Sequence, residues 1–568
     1  MSREYPIHTE ATDCQDCFKC VRNCPVKAIM IEDNHADVIS ERCILCGKCI
    51  SACPNNSKNI RSDIEEAGQL IKEEEKVIVS LAPSFTSEFD GGEAERLVTG
   101  LKKLGFHGVS ETALGAELVS SAIHREFNRG EDRLLLSTAC PSVVEYIRKY
   151  KPQLRSNLAN VMTPVVAHSR LLKDKFGEEV SIVFIGPCVA KKIEVERYEA
   201  FDVCLTFADL RSWFEEEGIK PDRLQSEPED DFIPSTAKNG RLYPVDGGMI
   251  AGVKENCAVN DLNFMSFSGM KPVQDILDSL GSRELDQKLF IELLACSGGC
   301  VNGPVADSES NIVSKKLSVI SNSTYEPERI GSDTELDVSF DYGVEPVEAS
   351  SYSEQEISEA LSRIGKEEEE DELNCGGCGY DSCRDFAEAL LDDKAETDMC
   401  VSYMRNKAQK TANALLKTMP SGVVIADQDL RVIECNRRFA SLLGEDILEI
   451  FDTVPGMKNA NLRKLVPFDH IFEKVLETNE DIIGEELRFN DRVLFYSAFV
   501  IETGRSVGFI CQDITEPSMK REQVVQKAEE VISKNLNMVQ EIAYLLGENA
   551  SETEVLMNSV IEAFEDGK

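Results

Sequence analysis

The sequence predicts a multidomain α/β protein, and three observations carry that expectation. The chain has 568 residues, too many for one hydrophobic core, so several domains of roughly 50–200 residues each are expected. From Val77 to about Val344, short apolar runs alternate with amphipathic stretches, which is the pattern of strands and helices taken in turn. Sixteen of the twenty cysteines fall into clusters or pattern-bearing loops, and these divide the chain into segments of distinct character.

Composition excludes some partners. With 61 basic and 102 acidic residues the formal charge is −41, which repels nucleic acid backbones and anionic membrane surfaces. The N-terminus, MSREYPIHTEATDC, has no apolar run of signal-peptide type, and no uninterrupted apolar segment of spanning length follows. A cytoplasmic protein without nucleic acid or membrane partners is expected. In that compartment thiols stay reduced, so the cysteines read as metal ligands and not as a disulfide framework. Cys204, Cys257, Cys435 and Cys511 stand alone and read as small buried hydrophobes.

Residues 1–60 carry Cys14, Cys17, Cys20 and Cys24-Pro25, then Cys43, Cys46, Cys49 and Cys53-Pro54, the CxxCxxCxxxCP run written twice. This resembles a bacterial two-cluster ferredoxin. In that arrangement the fourth cysteine of each run ligates the other cluster, which assigns Cys14, Cys17, Cys20 and Cys53 to one 4Fe-4S cluster and Cys24, Cys43, Cys46 and Cys49 to the other. Zinc is the competing metal, though it seldom uses such a run.

Residues 75–345 form the α/β segment. Three of its apolar runs lead into cysteine loops: Ser137-Thr138-Ala139-Cys140-Pro141, Gly186-Pro187-Cys188-Val189-Ala190-Lys191 and Cys296-Ser297-Gly298-Gly299-Cys300. Ligands of α/β sheets collect at the carboxyl ends of strands, so the loops are expected to converge on one crevice. In this order they resemble the signature loops of the H-cluster domain of FeFe-hydrogenases, TSCCP, MPCxxK and a glutamate-x-x-alanine-cysteine run ending in GCxxGG. The resemblance implies that Cys140, Cys188, Cys296 and Cys300 hold a cubane. It further implies that Cys300 bridges to a two-iron subcluster bearing carbon monoxide, cyanide and a bridging amine, and that Lys191 hydrogen-bonds a cyanide ligand, as an ammonium suits an anionic acceptor.

This sequence also departs from the family pattern. Ala139 stands where the family has the first cysteine of TSCCP, and it has no proton to exchange. Gly186 and Leu294 replace methionines, and Val301-Asn302-Gly303-Pro304 follows Cys300 in place of a glycine-rich run. The family's acidic proton route is not evident in the segment from Glu117 to Glu126. Slow turnover is therefore expected. His124 and His168 are alternative proton carriers by chemistry, against the plainer reading as surface or satisfied core histidines.

After Pro304 the composition turns polar, with Ser308, Ser310, Ser321, Ser323 and Ser332, and residues 346–372 read as an acidic linker ending in Glu367–Glu372. In residues 373–408, Cys375, Cys378, Cys383 and Cys400 give CxxCx4Cx16C, with Gly376, Gly377, Gly379 and Tyr380 around them. This resembles a small, α-rich 4Fe-4S domain, with zinc as the alternative for four thiolates.

Residues 409–516 read as strand, turn, strand, helix from Val423 to Phe439 and close near Val507–Thr515, which resembles an α+β PAS domain. Its single histidine, His470, and the absence of a flavin-adduct cysteine point to protein contact or dimerisation. In residues 517–568, Val525, Ala528, Ile532, Leu536, Val539, Ile542 and Leu546 recur at helical spacing before Gly547. That helix folds back on its own domain or pairs with a second chain; the period alone allows both.

Taken together, the domain order resembles the sensory FeFe-hydrogenases of anaerobic bacteria. It implies a low-turnover hydrogenase that takes hydrogen and protons as ligand or substrate and relays its state through 4Fe-4S clusters to the PAS module. A PP2C-type phosphatase or a kinase on another chain would be the output, and a homodimer through the PAS domain or final helix is compatible with it. The alternative is a non-catalytic redox sensor or assembly-type protein whose H-domain holds only the cubane. Lys191 and Cys300 favour the first.

Overall fold

In the computed structural model the described residues are 4–515, except 34, 90–93, 130–132, 227–229, 255–262, 281–286, 307–309, 324–335 and 349, together with 527–544 except 528 and 543. Cys257, Ser308, Ser332, Val525, Ala528, Leu546 and Gly547 therefore lie outside them. The chain forms two compact units, residues 1–396 and 397–568.

The first unit begins with a duplicated motif. Helices Lys19–Asn23 and Lys48–Ala52 each start from a left-handed residue, Phe18 (φ 54°) and Gly47 (φ 72°), and each ends at a cysteine, Cys24 and Cys53. The strand Ile7–Thr9 pairs antiparallel with Lys58–Ile60, and Ile29–Glu32 with His35–Val38. Gly47 is required by close approach as well as by φ, since a Cβ there would fall 2.4 Å from the Pro304 ring.

The α/β segment holds two parallel sheets. One is ordered Gly108–Glu111, Val77–Leu81, Ser181–Gly186, Val203–Thr206; the other Phe264–Ser268, Leu289–Leu294, Leu134–Leu136. Every residue of Val77–Leu81, Leu134–Leu136, Ser181–Gly186 and Leu289–Leu294 is buried, as expected of parallel strands covered on both faces. Cys204 is one of those core residues. Between this core and the first helices lies an ion network: Lys192, 0% exposed, donates to Asp63 (2.9 Å), Asp209 (3.3 Å) and the Cys204 carbonyl (2.9 Å), and Arg61 donates to Asp63 at 2.7 Å.

The stretch read as an acidic linker is corrected by the structure. Residues Glu354–Arg363 form a helix opened by a Ser353/Glu356 capping box, and it buries Ile357, Ala360 and Leu361. The cause is the apolar i, i+3, i+4 set within an otherwise acidic run. Glu367–Glu370 and Asp371 keep the exposed character that the charge implied, and Glu372 is half-buried.

In the second unit, helix Val401–Thr418 precedes a five-stranded antiparallel sheet ordered Val432–Cys435, Gly422–Asp427, Ser506–Asp513, Arg492–Glu502, Ile482–Phe489. Asn436 ties its first turn together: Oδ1 accepts from the Val423 and Phe439 amides, and Nδ2 donates to the Leu416 and Ser421 carbonyls. Of the two readings of the final helix, the described residues show the first: Val539 and Ile542 pack with Ala412, Leu416, Val423, Phe499 and Ile510, and Ile532 with Phe495.

Candidate iron–sulfur centres

Cys140 caps helix Pro141–Tyr150, and its loop is pinned to the neighbouring strand. The Ser137 amide donates to the Ile291 carbonyl at 3.0 Å, the Leu293 amide to Ser137 Oγ at 2.9 Å, and the Ala295 amide to Cys140 Sγ at 3.4 Å. Cys188 follows the strand Ser181–Gly186 and accepts, through its carbonyl, from the Lys191 amide at the start of helix Lys191–Tyr198. Cys296 and Cys300 flank Gly298 and Gly299, both at positive φ (80° and 101°). A Cβ on Gly299 would lie 2.2 Å from the Pro244 carbonyl oxygen, so glycine is obligatory in that turn.

All four cysteines line one cavity, together with Lys191, Ala139, Leu294, Tyr243 and Pro304. The expected convergence is thus found, but from two sheets, since Cys188 follows a strand of one and Cys140 and Cys296 follow strands of the other. The place of the family's MPC methionine is taken differently: a Cβ at Gly186 would sit 2.5 Å from the Phe184 ring. Burial pushes the Cys188 thiol up to about 11, with Cys140 adding to it, and raises Cys140, Cys296 and Cys300 as well, Cys296 further through Cys300 and Cys300 further through Cys140 and Cys188. Thiolates at this depth need a compensating cation, which bound iron supplies.

Two polar atoms test whether the lining fits such a group. Lys191 Nζ is buried 2.7 Å from Glu194 Oε2 in an ion pair that leaves the ammonium with further N–H donors unsatisfied. A buried ammonium with donors to spare suits an anionic acceptor in the cavity. Glu194, which burial drives upward, also accepts from Thr163 Oγ1 at 3.3 Å. It is a residue the sequence reading passed over, although its position three beyond Lys191 on a helix was the signal. Glu292 was passed over too: it accepts from the Gly247 amide (2.6 Å), the Met249 amide (3.0 Å) and Ser266 (2.7 Å), fixing the turn after Pro244 that covers Gly299.

The two histidines weighed as proton carriers separate. His168 is fully buried between Ser80 (2.7 Å) and Ser110 (2.9 Å), and burial holds it down to about 3, so it is a neutral core residue. His124 lies beside Asn128, and burial lowers it as well.

In the duplicated motif, Cys24 acts electrostatically on Cys43, and both act on Cys46 and Cys49; burial raises all four, Cys46 to about 12. Cys46 also lines the H-domain cavity and lies near Cys296. Cys20 is pushed to about 11 by burial, with Cys17 and Cys14 beside it. Cys53 differs. Burial acts upward on it, but hydrogen bonds from Ser57 and nearby amides prevail and its thiol lies below the usual range. A cubane spreads four thiolates over four irons, so its ligands do not meet at one ion position; among the described residues no group of three or more His, Cys, Asp or Glu does. Cys375 and Cys378 lie in the loop before helix Cys383–Leu391, where Asn374 Oδ1 accepts from the Cys383 amide at 2.7 Å. Cys400, in the second unit, caps helix Val401–Thr418.

Comparison with known proteins supplies the families. Residues 75–304 match the iron-only hydrogenase large subunit, C-terminal domain; residues 13–66 a 4Fe-4S dicluster domain; residues 371–402 a putative Fe-S cluster family; and residues 413–482 a PAS domain. Iron hydrogenase 1 of Clostridium pasteurianum is 22% identical over 46% of this chain and 63% of its own length. The NADP-reducing hydrogenase subunit HndD of Solidesulfovibrio fructosivorans is 24% identical over 52% and 61%. Cytosolic iron-sulfur assembly component 3 of Pongo abelii is 23% identical over 47% and 71%. The chain thus spans little more than three fifths of the two hydrogenases it resembles. Among the described residues no helix is long and apolar enough to cross a membrane.

Proposed function

We propose that this chain, which joins an Fe-only hydrogenase H-domain to a 4Fe-4S dicluster domain, a further Fe-S domain and a PAS domain, is a hydrogen-responsive signalling protein of low turnover. Cys140, Cys188, Cys296 and Cys300 would hold the H-domain cubane, with Cys300 shared with a two-iron subcluster. When bound, that group supplies hydrogen binding and heterolysis. Lys191 donates to its anionic ligand, and Glu194 holds the ammonium in place. Ala139 lines the same cavity and leaves it without a thiol to carry protons. Cys46, a ferredoxin-type cysteine that lines the same cavity, would hold the cluster that exchanges electrons with this site. The changed state is read through the PAS domain by a separate signalling protein, a phosphatase of PP2C type or a kinase.

The observation that carries the reading is the buried Lys191 ammonium with unspent donors beside four cysteines. A cubane alone gives that ammonium no anionic diatomic ligand to meet, which weighs against the assembly-type alternative that the relative from Pongo abelii keeps in view. Infrared spectroscopy of the anaerobically matured full chain, with and without hydrogen, tests it. Metal-bound carbon monoxide and cyanide bands that shift under hydrogen are expected; their absence after competent maturation would leave a cubane-only redox protein.

A further inference from the structure

The Cys375–Tyr380 loop of the third cysteine motif is docked on the ferredoxin-type domain, and the contact is specific. Arg22 Nη1 donates to the Gly377 carbonyl at 3.0 Å and Lys27 Nζ to the Gly379 carbonyl at 2.6 Å, so two cations of the first domain grip the Cys375–Tyr380 loop. Arg22 Nη2 also donates to the Cys17 carbonyl at 2.7 Å, tying the grip to the first cysteine run. Gly379 has φ 96°, and a Cβ on it would lie 2.9 Å from Val21 Cγ1 and 3.2 Å from the Arg22 amide. The loop therefore lies directly on helix Lys19–Asn23. A backbone bond from the Ile31 amide to the Lys394 carbonyl (2.9 Å) closes the other end.

Tyr380 sits in this junction, 4% exposed, its ring against Phe386 and below the Lys27 ammonium at 5.9 Å. Its hydroxyl is buried and has no hydrogen-bond partner. Buried tyrosine hydroxyls ordinarily find one, because an unpaired donor costs about 1–3 kcal/mol. Cys378 and Cys24 both act on it electrostatically, one from each domain.

We propose that the Tyr380 hydroxyl donates a hydrogen bond to a sulfur of the cluster held by the third cysteine motif, and that this bond makes that cluster the electron acceptor of the ferredoxin-type domain. The inference rests on reading residues 371–402 as a cluster domain. Hydrogen bonds to sulfur stabilise the reduced, more negative cluster and raise its potential. In the transfer one electron leaves the 4Fe-4S cluster of Cys24, which is oxidised, and enters the third cluster, which is reduced. No bond breaks, and Tyr380 keeps its proton. Arg22 and Lys27 are positioning residues that hold the loop in range. The Cys24 group thereby faces two ways, toward the H-domain through Cys46 and toward the third motif beside Tyr380.

The test is a redox titration of the anaerobically reconstituted full chain followed by electron paramagnetic resonance, with Cys378→Ala to identify the third cluster's signal. In Tyr380→Phe the reduction equilibrium of that cluster should fall about tenfold, roughly 59 mV for one electron, with the other potentials and the iron content unchanged. An unmoved potential at full iron content overturns the proposal. In the wild type, an exchangeable proton should couple to the reduced third cluster, and its absence is a second, independent refutation. In Cys378→Ala, whose side chain offers the iron no donor atom, iron equal to the wild type would overturn the cluster reading itself, a failure distinct from that of the tyrosine.

Discussion

The H-domain cavity lies among loops that follow β-strands and the PAS interior lies against a β-sheet, and the two are lined in opposite ways. The cavity is lined by five cysteines, Cys46 among them, an ammonium with donors unspent, and the small side chain of Ala139. On the PAS sheet, Phe509 is surrounded by Phe439 (6.3 Å), Phe468 (5.6 Å), Phe472 (5.0 Å) and Tyr496 (5.2 Å). Rings packed at such distances stabilise the domain through their own burial and leave the polar atoms to its rim. The first interior presents metal-binding side chains, whereas the second is filled by its own aromatic rings.

The largest test of that contrast is Phe509→Ala. Removal of the ring at the centre of the aromatic cluster should destabilise the PAS domain by about 3–5 kcal/mol, seen in chemical denaturation of the full chain, while infrared bands from the H-domain stay in place. Retained PAS stability would mean that the cluster is not the core it resembles. Next is Ala139→Cys, which puts an ionisable thiol into the cavity. Hydrogen turnover should rise about 10²-fold, near 3 kcal/mol of barrier; an unchanged rate would show that proton delivery is limited elsewhere. The smallest effect concerns Glu145, on the helix that follows Cys140. Burial would raise its carboxyl, but the Arg197 and Arg148 guanidiniums prevail and hold it below the usual range. Its stabilising contribution is thus present above the ordinary carboxylate pKa and is lost as pH falls through the depressed one. In Glu145→Gln the acid limb of the stability–pH curve should flatten, and an unaltered limb would remove Glu145 from the account.

How much was legible in advance depended on how local the signal was. The cysteine runs, the strand Val77–Leu81 and the turn at Asp427 are written in consecutive residues, and the sequence reading placed them on the right elements. The helix Glu354–Arg363 was missed because its acidic surface residues masked three buried apolar ones. Glu194 and Glu292 were missed for another reason: a carboxylate's task depends on which distant amides and ammonium groups face it. Tyr380 appeared only as a motif companion until its hydroxyl was found buried and unmatched.

By itself, the sequence determined the kind of metal chemistry, the order of the domains and the loops that carry thiols, because ligand spacing and hydrophobic period are properties of short segments. Only the tertiary structure decided that Cys188 comes from one sheet and Cys140 and Cys296 from another, and that Cys46 reaches the same cavity. It also decided that the third motif rests on the ferredoxin-type domain through Arg22 and Lys27. These are encounters between residues up to 355 positions apart; they depend on how packed surfaces meet, which no local pattern encodes.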